Sequence, residues 1–191
     1  AVNMVLQIGI GFFIALGLNA PELEPRRIYK TVLMLPWAMP AYISILLWRV
    51  GIFNTEFGVL NKLLGLLGFG KVDFLGSKAI AFCSCLVLNL WMALPFMIST
   101  IDGALQSVDR NLYESAKLDG AGFWTSVRSI TIPAIWPIVA PAAVMTTFIT
   151  FKQFDIIYLL TQQRGYMTGA SLNTVITYAH QNAFASNNYG L

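Results

Sequence analysis

The chain of 191 residues is 57% hydrophobic and only 11% charged, and its net charge is +3. Because charged residues make up about 25% of an ordinary soluble domain, this composition excludes a soluble globular protein and favours one that lies in a bilayer. The positive excess is too small for a nucleic-acid partner and is typical of basic loops beside a membrane.

Four apolar segments are long enough to cross the hydrocarbon layer, which takes about 20 helical residues. Proline and charge mark their ends, since Pro21 and Pro25 follow the first segment and Lys78 precedes the third. We therefore predict an all-α integral membrane protein with a single transmembrane domain over residues 1–191. Its predicted spans are 1–20, 28–52, 79–100 and 134–160.

Four spans place the linkers 21–27 and 101–133 on one side of the membrane, and the linker 53–78 and the tail 161–191 on the other. Arginine and lysine concentrate in cytoplasmic loops, and they favour the first side. We therefore predict a cytoplasmic loop at 107–133 and an external tail at 161–191. The first side carries Arg26, Arg27, Lys30, Arg110, Lys117 and Arg128, and the second carries Lys62, Lys71, Lys78 and Arg164.

The linker 53–78 is too short and too rich in glycine to span, yet it contains several leucine and phenylalanine residues. This pattern predicts a short helix on the outer membrane interface.

Residues 107–133, which we call the hinge loop, have an internal pattern that is unusual for a linker. Ser107 or Asp109 can cap a short amphipathic helix that runs to Leu118. Gly120 and Gly122 then end that helix. The residues from 123 to 130 predict a second short helix that ends before the proline at 133.

The side chains of the hinge loop suit contact with another protein. Small residues let a second backbone approach closely, and apolar residues offer contacts to a groove. The small residues are Ser115, Ala116, Gly120 and Ala121, and the apolar ones are Leu112, Leu118 and Phe123.

The spacing within the hinge loop resembles the signature of bacterial ABC importer permeases, E-A-A-x3-G-x9-I-x-L-P. Here it reads Glu114-Ser115-Ala116, three residues, Gly120, nine residues, Ile130-Thr131-Ile132-Pro133. Ser115 replaces alanine and Ile132 replaces leucine, while Asp119 matches the Asp-Gly pair common in that family. The resemblance implies the helical bundle of the type I ABC importer permease core. Family members carry a further span after the tail, so this chain would lack the last helix of that core.

By this resemblance, the hinge loop would be the coupling helix that inserts into a cleft on a cytoplasmic nucleotide-binding subunit. Glu114 would pair with a basic residue of that cleft, and Gly120 would be required where a side chain would collide with the ATPase. An ordinary amphipathic interfacial loop is the alternative. The residues assigned to the contact are Glu114, Ser115, Ala116, Asp119, Gly120, Ile130 and Pro133.

Three further segments, 29–40, 91–96 and 154–161, are similar to carbohydrate permeases, particularly to the larger, maltose-type subunit. The resemblance implies a sugar substrate, either maltose or maltodextrin or a related oligosaccharide. One departure leaves the substrate subclass open, because residues 162–166 replace the Gly-Gly-Pro turn that usually follows the last segment.

A strip of polar residues in the fourth span is the candidate substrate path. Thr146, Thr150 and Gln153 recur at i, i+4 and i+7 and share a helical face with Ile149. Hydroxyl, amide and apolar groups in alternation suit a neutral sugar, and Trp91 beside Pro95 could supply an aromatic wall. By resemblance to the maltose permease, the sugar site is lined by Met92, Ala93, Phe96, Thr146, Ile149, Thr150 and Gln153.

The alternative interpretation of the strip is purely structural. Thr146 and Thr150 can donate to carbonyls of their own helix, and Trp91 can anchor a membrane interface. We also predict that Lys152 and Asp155, three residues apart, pair with each other.

The sequence contains no G-x4-G-K-[ST] phosphate loop, no catalytic triad and no metal-ligand cluster. We therefore expect no enzymatic activity and no cofactor in this chain, with ATP and magnesium bound by partner ATPase subunits. An ion-coupled secondary transporter would need more intramembrane carboxylates than the sequence has. Glycerol phosphate or an amino acid remains an alternative cargo.

The expected location is a prokaryotic inner membrane, crossed several times. The expected partners are nucleotide-binding ATPase subunits, a second permease subunit, an external solute-binding protein and membrane lipid, with no nucleic acid.

Overall fold

The structure, a computed structural model, describes residues 2–20, 23–153, 155–161 and 178. Of these residues 80% are helical and none is in a strand, which confirms the predicted all-α fold. The helices are α1 (Val2–Leu18), α2 (Arg26–Ala38), α3 (Ala41–Leu47), α4 (Val59–Leu66), α5 (Lys78–Gln106), α6 (Arg110–Leu118), α7 (Phe123–Ser126), α8 (Ile132–Lys152) and α9 (Asp155–Thr161). Two π-helical segments, Trp48–Ile52 and Val127–Thr131, follow α3 and α7.

The chain forms two compact units, each made of two separate stretches. Unit 1 comprises Ala1–Ala38 and Ala93–Phe148, and unit 2 comprises Met39–Met92 and Ile149–Leu191. Helices α5 and α8 each contribute residues to both units.

Helix α1 of unit 1 buries polar side chains and exposes apolar ones, which is the reverse of a helix in a soluble protein. Its buried stripe includes the amides of Asn3 and Gln7, while Val5 and Phe13 are 65% and 61% exposed. A Cβ at Gly11, on the buried stripe, would lie 3.1 Å from a side-chain atom of Met97. Small residues at such contacts and apolar residues facing outward are typical of helices that pack within lipid.

Helix α8 completes the core of unit 1 through a stripe with helical period. Residues of this stripe alternate with a face that is more than half exposed and includes Met145 and Phe148. The core formed by the three helices consists of Ala15, Met97, Ile101, Ala104, Ile135, Val139 and Ala143.

The predicted span 28–52 is interrupted, because α2 ends at Ala38 and α3 begins at Ala41. Pro40 precedes α3 in an extended conformation, with φ −56° and ψ 133°. A proline lacks the N–H needed within a helix and disfavours the helical conformation of the residue before it. One apolar run in the sequence therefore forms two helices.

Within the described residues, helix Lys78–Gln106 and the succession of helices from Phe123 to Thr161 are long and apolar enough to cross a membrane, with mean hydropathies of 2.0 and 1.7. The interrupted pair Arg26–Ala38 and Ala41–Ile52 adds a third if it forms one span. The first predicted span corresponds to α1, which is apolar but has 17 residues.

Unit 2 contains an aromatic cluster in its core. Trp48 lies 5.3 Å from Phe53 and 5.4 Å from Trp91 between ring centroids, and Phe53 lies 5.7 Å from Phe74. Arg49 donates a hydrogen bond to the carbonyl of Leu159 at 2.9 Å, which joins the first π-helical segment to α9. The apolar core of the unit also includes Ile45, Cys85, Leu88, Ile156 and Leu160.

The predicted linker helix is α4, which is fastened by the buried side chain of Asn61. Its Nδ2 donates to the carbonyls of Asn54 and Val72, at 3.2 and 2.9 Å, and its Oδ1 accepts from the backbone N–H of Val72 at 2.9 Å. The side-chain amide of Asn61 thus joins α4 to the backbone at Asn54 and at Val72. Most of the predicted tail 161–191 lies outside the described residues.

Candidate functional site

The hinge loop begins with a capped helix, as the sequence predicts. The Oδ1 of Asp109 accepts a hydrogen bond from the backbone N–H of Asn111 at 3.0 Å, so Asp109, and not Ser107, is the N-cap of α6. Ser107 instead donates from its hydroxyl to the carbonyl of Ala104 at 2.7 Å, which closes the end of α5. The turn between α5 and α6 is therefore short and hydrogen-bonded on both sides.

Gly120 ends α6 in the left-handed conformation, with φ +78°. Its N–H donates to the carbonyl of Lys117 at 3.1 Å, and the N–H of Ala121 donates to the carbonyl of Ala116 at 2.9 Å. This is the hydrogen-bond pattern that favours glycine after a helix. A Cβ on Gly120 would meet no other described atom of this chain within 4 Å. The conformation of the chain itself therefore favours glycine here, which agrees with the predicted role of Gly120 in ending the helix, and collision with a partner is not the only reason for the glycine.

The second helix of the hinge loop differs from the prediction, because it does not end before Pro133. Helix α7 continues through the π-helical segment Val127–Thr131 into α8, and the N–H of Ile132 donates to the carbonyl of Val127, five residues back. Pro133 is the second residue of α8 and directly follows the π-helical segment, so the helix passes through this proline and does not end before it.

One side-chain hydrogen bond joins the two halves of the hinge loop. The hydroxyls of Tyr113 on α6 and of Thr131, the last residue of the π-helical segment before α8, lie 2.9 Å apart, and Thr131 is 2% exposed. The two residues are 18 positions apart, and no periodicity in the sequence connects them. This contact fixes the position of α6 against the base of α8.

Large apolar side chains at the tip of the hinge loop remain exposed. Leu118 is 89% exposed, Phe123 is 63% exposed and Trp124 is 66% exposed. The rings of Phe123 and Trp124 lie 5.2 Å apart in an edge-to-face arrangement. An apolar surface of this kind, rimmed by charged residues, is typical of a protein-binding site. Leu118 and Phe123 are among the apolar contacts predicted from the sequence, and Trp124 is not.

The signature residues lie on or beside this surface. Five of them are exposed, and Ala116 and Ile130 are half-buried. Within the described ranges, the carboxylate of Glu114 has no ion pair or hydrogen bond and is available to a partner. The exposed five are Glu114, Ser115, Asp119, Gly120 and Pro133.

A recess of about 1040 Å³ lies between the hinge loop and the ends of α1, α2 and α5 in unit 1. Its lining includes four basic side chains, and no carboxylate is among the described residues that line it. A recess of this charge favours acidic groups. The basic residues are Arg26, Lys30, Arg110 and Lys117.

The predicted substrate residues belong to both units, and the structure supports different interpretations of them. In unit 1, the hydroxyl of Thr146 donates to the carbonyl of Ala142 at 2.8 Å, and Thr146 is 6% exposed. At this residue the geometry is that of the structural alternative. Phe96 is 38% exposed and Ala93 is half-buried.

In unit 2, Gln153 accepts a hydrogen bond from the side-chain amide of Asn89, which is 8% exposed. Asn89 is not among the predicted substrate residues, although an amide within an apolar span is itself a signal of a functional site. Trp91 packs on Trp48. Ile149 is 57% exposed, and Met92 and Thr150 are half-buried. The role of these residues stays a prediction.

The predicted pair of Lys152 and Asp155 is absent from the ion pairs of the described residues. Helix α8 ends at Lys152 and α9 begins at Asp155, so the two residues do not share one continuous helix. The described residues do contain an ion pair between Lys30 and Asp102, at 2.6 Å, in which the side chain of Lys30 is 35% exposed and that of Asp102 is 12% exposed. No group of His, Cys, Asp or Glu side chains in the described part of the chain could hold a metal ion.

Residues 7–189 match the family model described as "Binding-protein-dependent transport system inner membrane component". The trehalose/maltose transport system permease protein MalF of Thermococcus litoralis is 34% identical over 160 residues, which are 84% of this chain and 54% of that protein. The galactooligosaccharides transport system permease protein GanP of Bacillus subtilis is 29% identical over 190 residues, which are 97% of this chain and 45% of that protein. The chain therefore spans about half the length of these relatives.

A similar fold occurs in the crystal structure of a bacterial alginate ABC transporter in complex with an alginate pentasaccharide-bound periplasmic protein. The TM-score is 0.77 with 26% identity, over 99% of this chain and 68% of the other.

Proposed function

This chain belongs to the family of binding-protein-dependent transport system inner membrane components, and we propose that it is the transmembrane subunit of an ATP-driven sugar importer. In this proposal the hinge loop docks on a cytoplasmic ATPase subunit, and the chain pairs with a second permease subunit and receives sugar from an external binding protein. The chain contributes no catalytic group and no cofactor, because ATP and magnesium are bound by the ATPase subunits.

The exposed tip of the hinge loop is the observation that carries the docking proposal. Leu118, Phe123 and Trp124 together expose apolar surface, and the carboxylate of Glu114 nearby has no partner in the described chain. An apolar centre with a charged rim is the usual anatomy of a protein interface. The left-handed Gly120 and the hydrogen bond from Tyr113 to Thr131 hold this surface in one conformation, which lowers the entropy cost of binding.

The docking proposal is tested by charging the tip of the loop. We expect Leu118→Glu to weaken binding of the ATPase subunit at least about tenfold, or about 1.4 kcal/mol, because a carboxylate would be desolvated in the cleft. Leu66→Glu is the matched control, since Leu66 is 84% exposed near the end of another short helix. Affinity is measured with the permease in lipid nanodiscs. Equal affinities for both variants and the unaltered protein would remove the hinge loop from the interface.

A neutral oligosaccharide is the proposed cargo. The named relatives transport maltose, trehalose or galactooligosaccharides, and the aromatic and amide groups of unit 2 are chemically suited to sugar rings and hydroxyls. The amide pair of Asn89 and Gln153 supports this proposal, because each amide can exchange its partner for a sugar hydroxyl.

The cargo is tested by uptake into vesicles that contain the assembled transporter. We expect Gln153→Ala to lower maltodextrin uptake about fivefold through the loss of a hydrogen bond of about 1 kcal/mol. Thr147→Val is the control, because the hydroxyl of Thr147 donates to its own helix at Ala143 and is outside the predicted strip. Unchanged uptake by Gln153→Ala would remove this residue from the path. If the vesicles take up glycerol phosphate or an amino acid and no maltodextrin, the proposed cargo is wrong and that solute takes its place.

A further inference from the structure

Asp102 lies near the end of α5 and is 8% exposed. Its carboxylate accepts hydrogen bonds from Nζ of Lys30 at 2.6 Å, from Nδ2 of Asn19 at 2.8 Å and from Nε2 of Gln106 at 2.9 Å. We call these four residues the Asp102 network. One side chain thus connects the C-terminal end of α1, the first turns of α2 and the last turns of α5.

The end of α1 has a second fastening beside the Asp102 network. Nη2 of Arg26 donates to the carbonyls of Ala20 and Asn19, at 2.6 and 3.2 Å. A guanidinium at this place also interacts favourably with the negative end of the helix dipole. Because Arg26 and Lys30 lie one turn apart on α2, two cations of one helix hold the end of another.

The network is joined to the hinge loop by a short turn. Helix α5 runs without interruption from Asp102 to Gln106, and three residues then lead to α6. The hydroxyl of Ser107 donates to Ala104, and Asp109 caps α6, so both sides of the turn are hydrogen-bonded. Because this turn is short and hydrogen-bonded on both sides, a displacement of α6 also displaces the end of α5.

An ion pair with a mostly buried carboxylate is a costly way to join α2 to α5. Desolvation of two charges offsets much of their attraction, and an apolar contact of the same size would often stabilise the fold more. Its advantage is a defined geometry, because charged and bidentate hydrogen bonds have strict distances and angles. The position of this pair, one short turn from the hinge loop, suits the transmission of a displacement.

We propose that Asp102 is a positioning residue that transmits the displacement of the hinge loop to α1 and α2. The inference rests on the proposed function, in which an ATPase subunit moves the hinge loop. ATP-driven movement of α6 displaces the end of α5, and the hydrogen bonds of Asp102 oblige α1 and α2 to follow.

The test measures sugar transported per ATP hydrolysed by the assembled transporter in lipid vesicles. We expect Asp102→Asn to lower this ratio about tenfold, since it removes a charge-assisted contact, while basal ATP hydrolysis stays unchanged. Glu56→Gln is the matched control, because it neutralises the carboxylate of the exposed pair Lys71–Glu56 and leaves the ratio unchanged. Asn19→Ala, a milder variant, removes only the connection to α1 and lowers the ratio by a smaller factor.

Each outcome of this test has a defined meaning. A lowered ratio in an assembled variant with normal basal hydrolysis supports the proposal, because a purely structural role would not change the ratio. An unchanged ratio in assembled Asp102→Asn and Asn19→Ala overturns it. Loss of assembly in both variants also overturns it and assigns the network to folding. Failure of the proposed function is distinguishable, since the unaltered transporter would then show no sugar uptake driven by ATP.

Discussion

Helices α4 and α6 end in the same way, although they belong to different units. Gly68 follows α4 with φ +80°, and Gly120 follows α6 with φ +78°. The N–H three residues after each helix end donates to the carbonyl five positions back, from Phe69 to Leu64 and from Ala121 to Ala116, both at 2.9 Å. A glycine that closes a short amphipathic helix is therefore local helix-ending chemistry, and it does not by itself indicate a coupling site.

The surroundings of the two helices differ. The buried amide of Asn61 holds α4 to its own linker with hydrogen bonds on both sides. Helix α6 is joined to α8 through the hydroxyl of Tyr113, and its next helix exposes Phe123 and Trp124. The end of α4 also leaves large apolar side chains exposed, with Leu66 at 84% and Phe69 at 64%. The two helices therefore differ in how they are fastened and in the signature residues of α6, on which the docking proposal rests.

The largest expected effect is the loss of sugar-stimulated ATP hydrolysis when Gly120 is replaced, with Gly68 as the comparison. A valine at either position meets the same backbone strain, about 1–2 kcal/mol for a left-handed residue. We expect Gly120→Val to abolish sugar-stimulated ATP hydrolysis by the assembled transporter, because the strain distorts the docking surface. Gly68→Val should retain most of that activity, since α4 lies outside the proposed interface.

Gly120→Asn separates two reasons for the glycine. Asparagine tolerates the left-handed conformation, so it should keep most of the stimulated hydrolysis if conformation is the requirement. Loss of activity in Gly120→Asn would instead show that the ATPase approaches too closely for any side chain. Equal loss in Gly68→Val and Gly120→Val would contradict the distinction between the two helices.

The hinge loop could be predicted from the sequence because its determinants are local. Asp109, Gly120 and the signature spacing act through hydrogen bonds within a few residues of each other. The Asp102 network could not be predicted in this way, because Lys30 and Asn19 are 72 and 83 positions from Asp102. The predicted pair of Lys152 and Asp155 is absent from the described ion pairs for a similar reason. The prediction assumed one continuous helix, whereas α8 ends at Lys152 and α9 begins at Asp155.

The substrate strip shows a second feature that could not be predicted from the sequence, namely the hydrogen-bond partner of each polar side chain. Helical spacing correctly places Thr146 on α8, but spacing does not say whether a hydroxyl faces a path or its own backbone. The structure gives Thr146 a partner at Ala142, whereas Gln153 pairs with Asn89 from another helix. Interhelical packing decides between these cases, and packing depends on residues far apart in sequence.

A smaller effect is expected when the hydrogen bonds beside each helix are removed. Asn61→Leu removes three hydrogen bonds and leaves the N–H of the half-buried Val72 without its side-chain partner, at a cost of about 1–3 kcal/mol. Tyr113→Phe removes a single hydrogen bond, worth about 0.5–1.5 kcal/mol. Thermal unfolding in detergent should therefore show a larger decrease in midpoint for Asn61→Leu. A larger decrease for Tyr113→Phe would reverse the assignment of α4 as the more firmly fastened helix.

The smallest effect is expected at the exposed pair of Lys71 and Glu56 beside α4. The hydrogen bond from Lys71, and then its charge, lower the pKa of Glu56 below its ordinary 4.5. Because the pKa of Glu56 is lowered in the folded state, the pair stabilises that state above about pH 4.5, the ordinary pKa. This contribution is lost as the pH falls through the lowered pKa. Because both side chains are mostly exposed, at 60% and 75%, solvent screens the pair. Lys71→Ala should raise the pKa of Glu56 towards 4.5, as measured by carboxyl NMR, and leave transport unchanged at neutral pH. A loss of transport would show that the α4 linker has a partner of its own, and the contrast with α6 would then be one of partners and not of fastening.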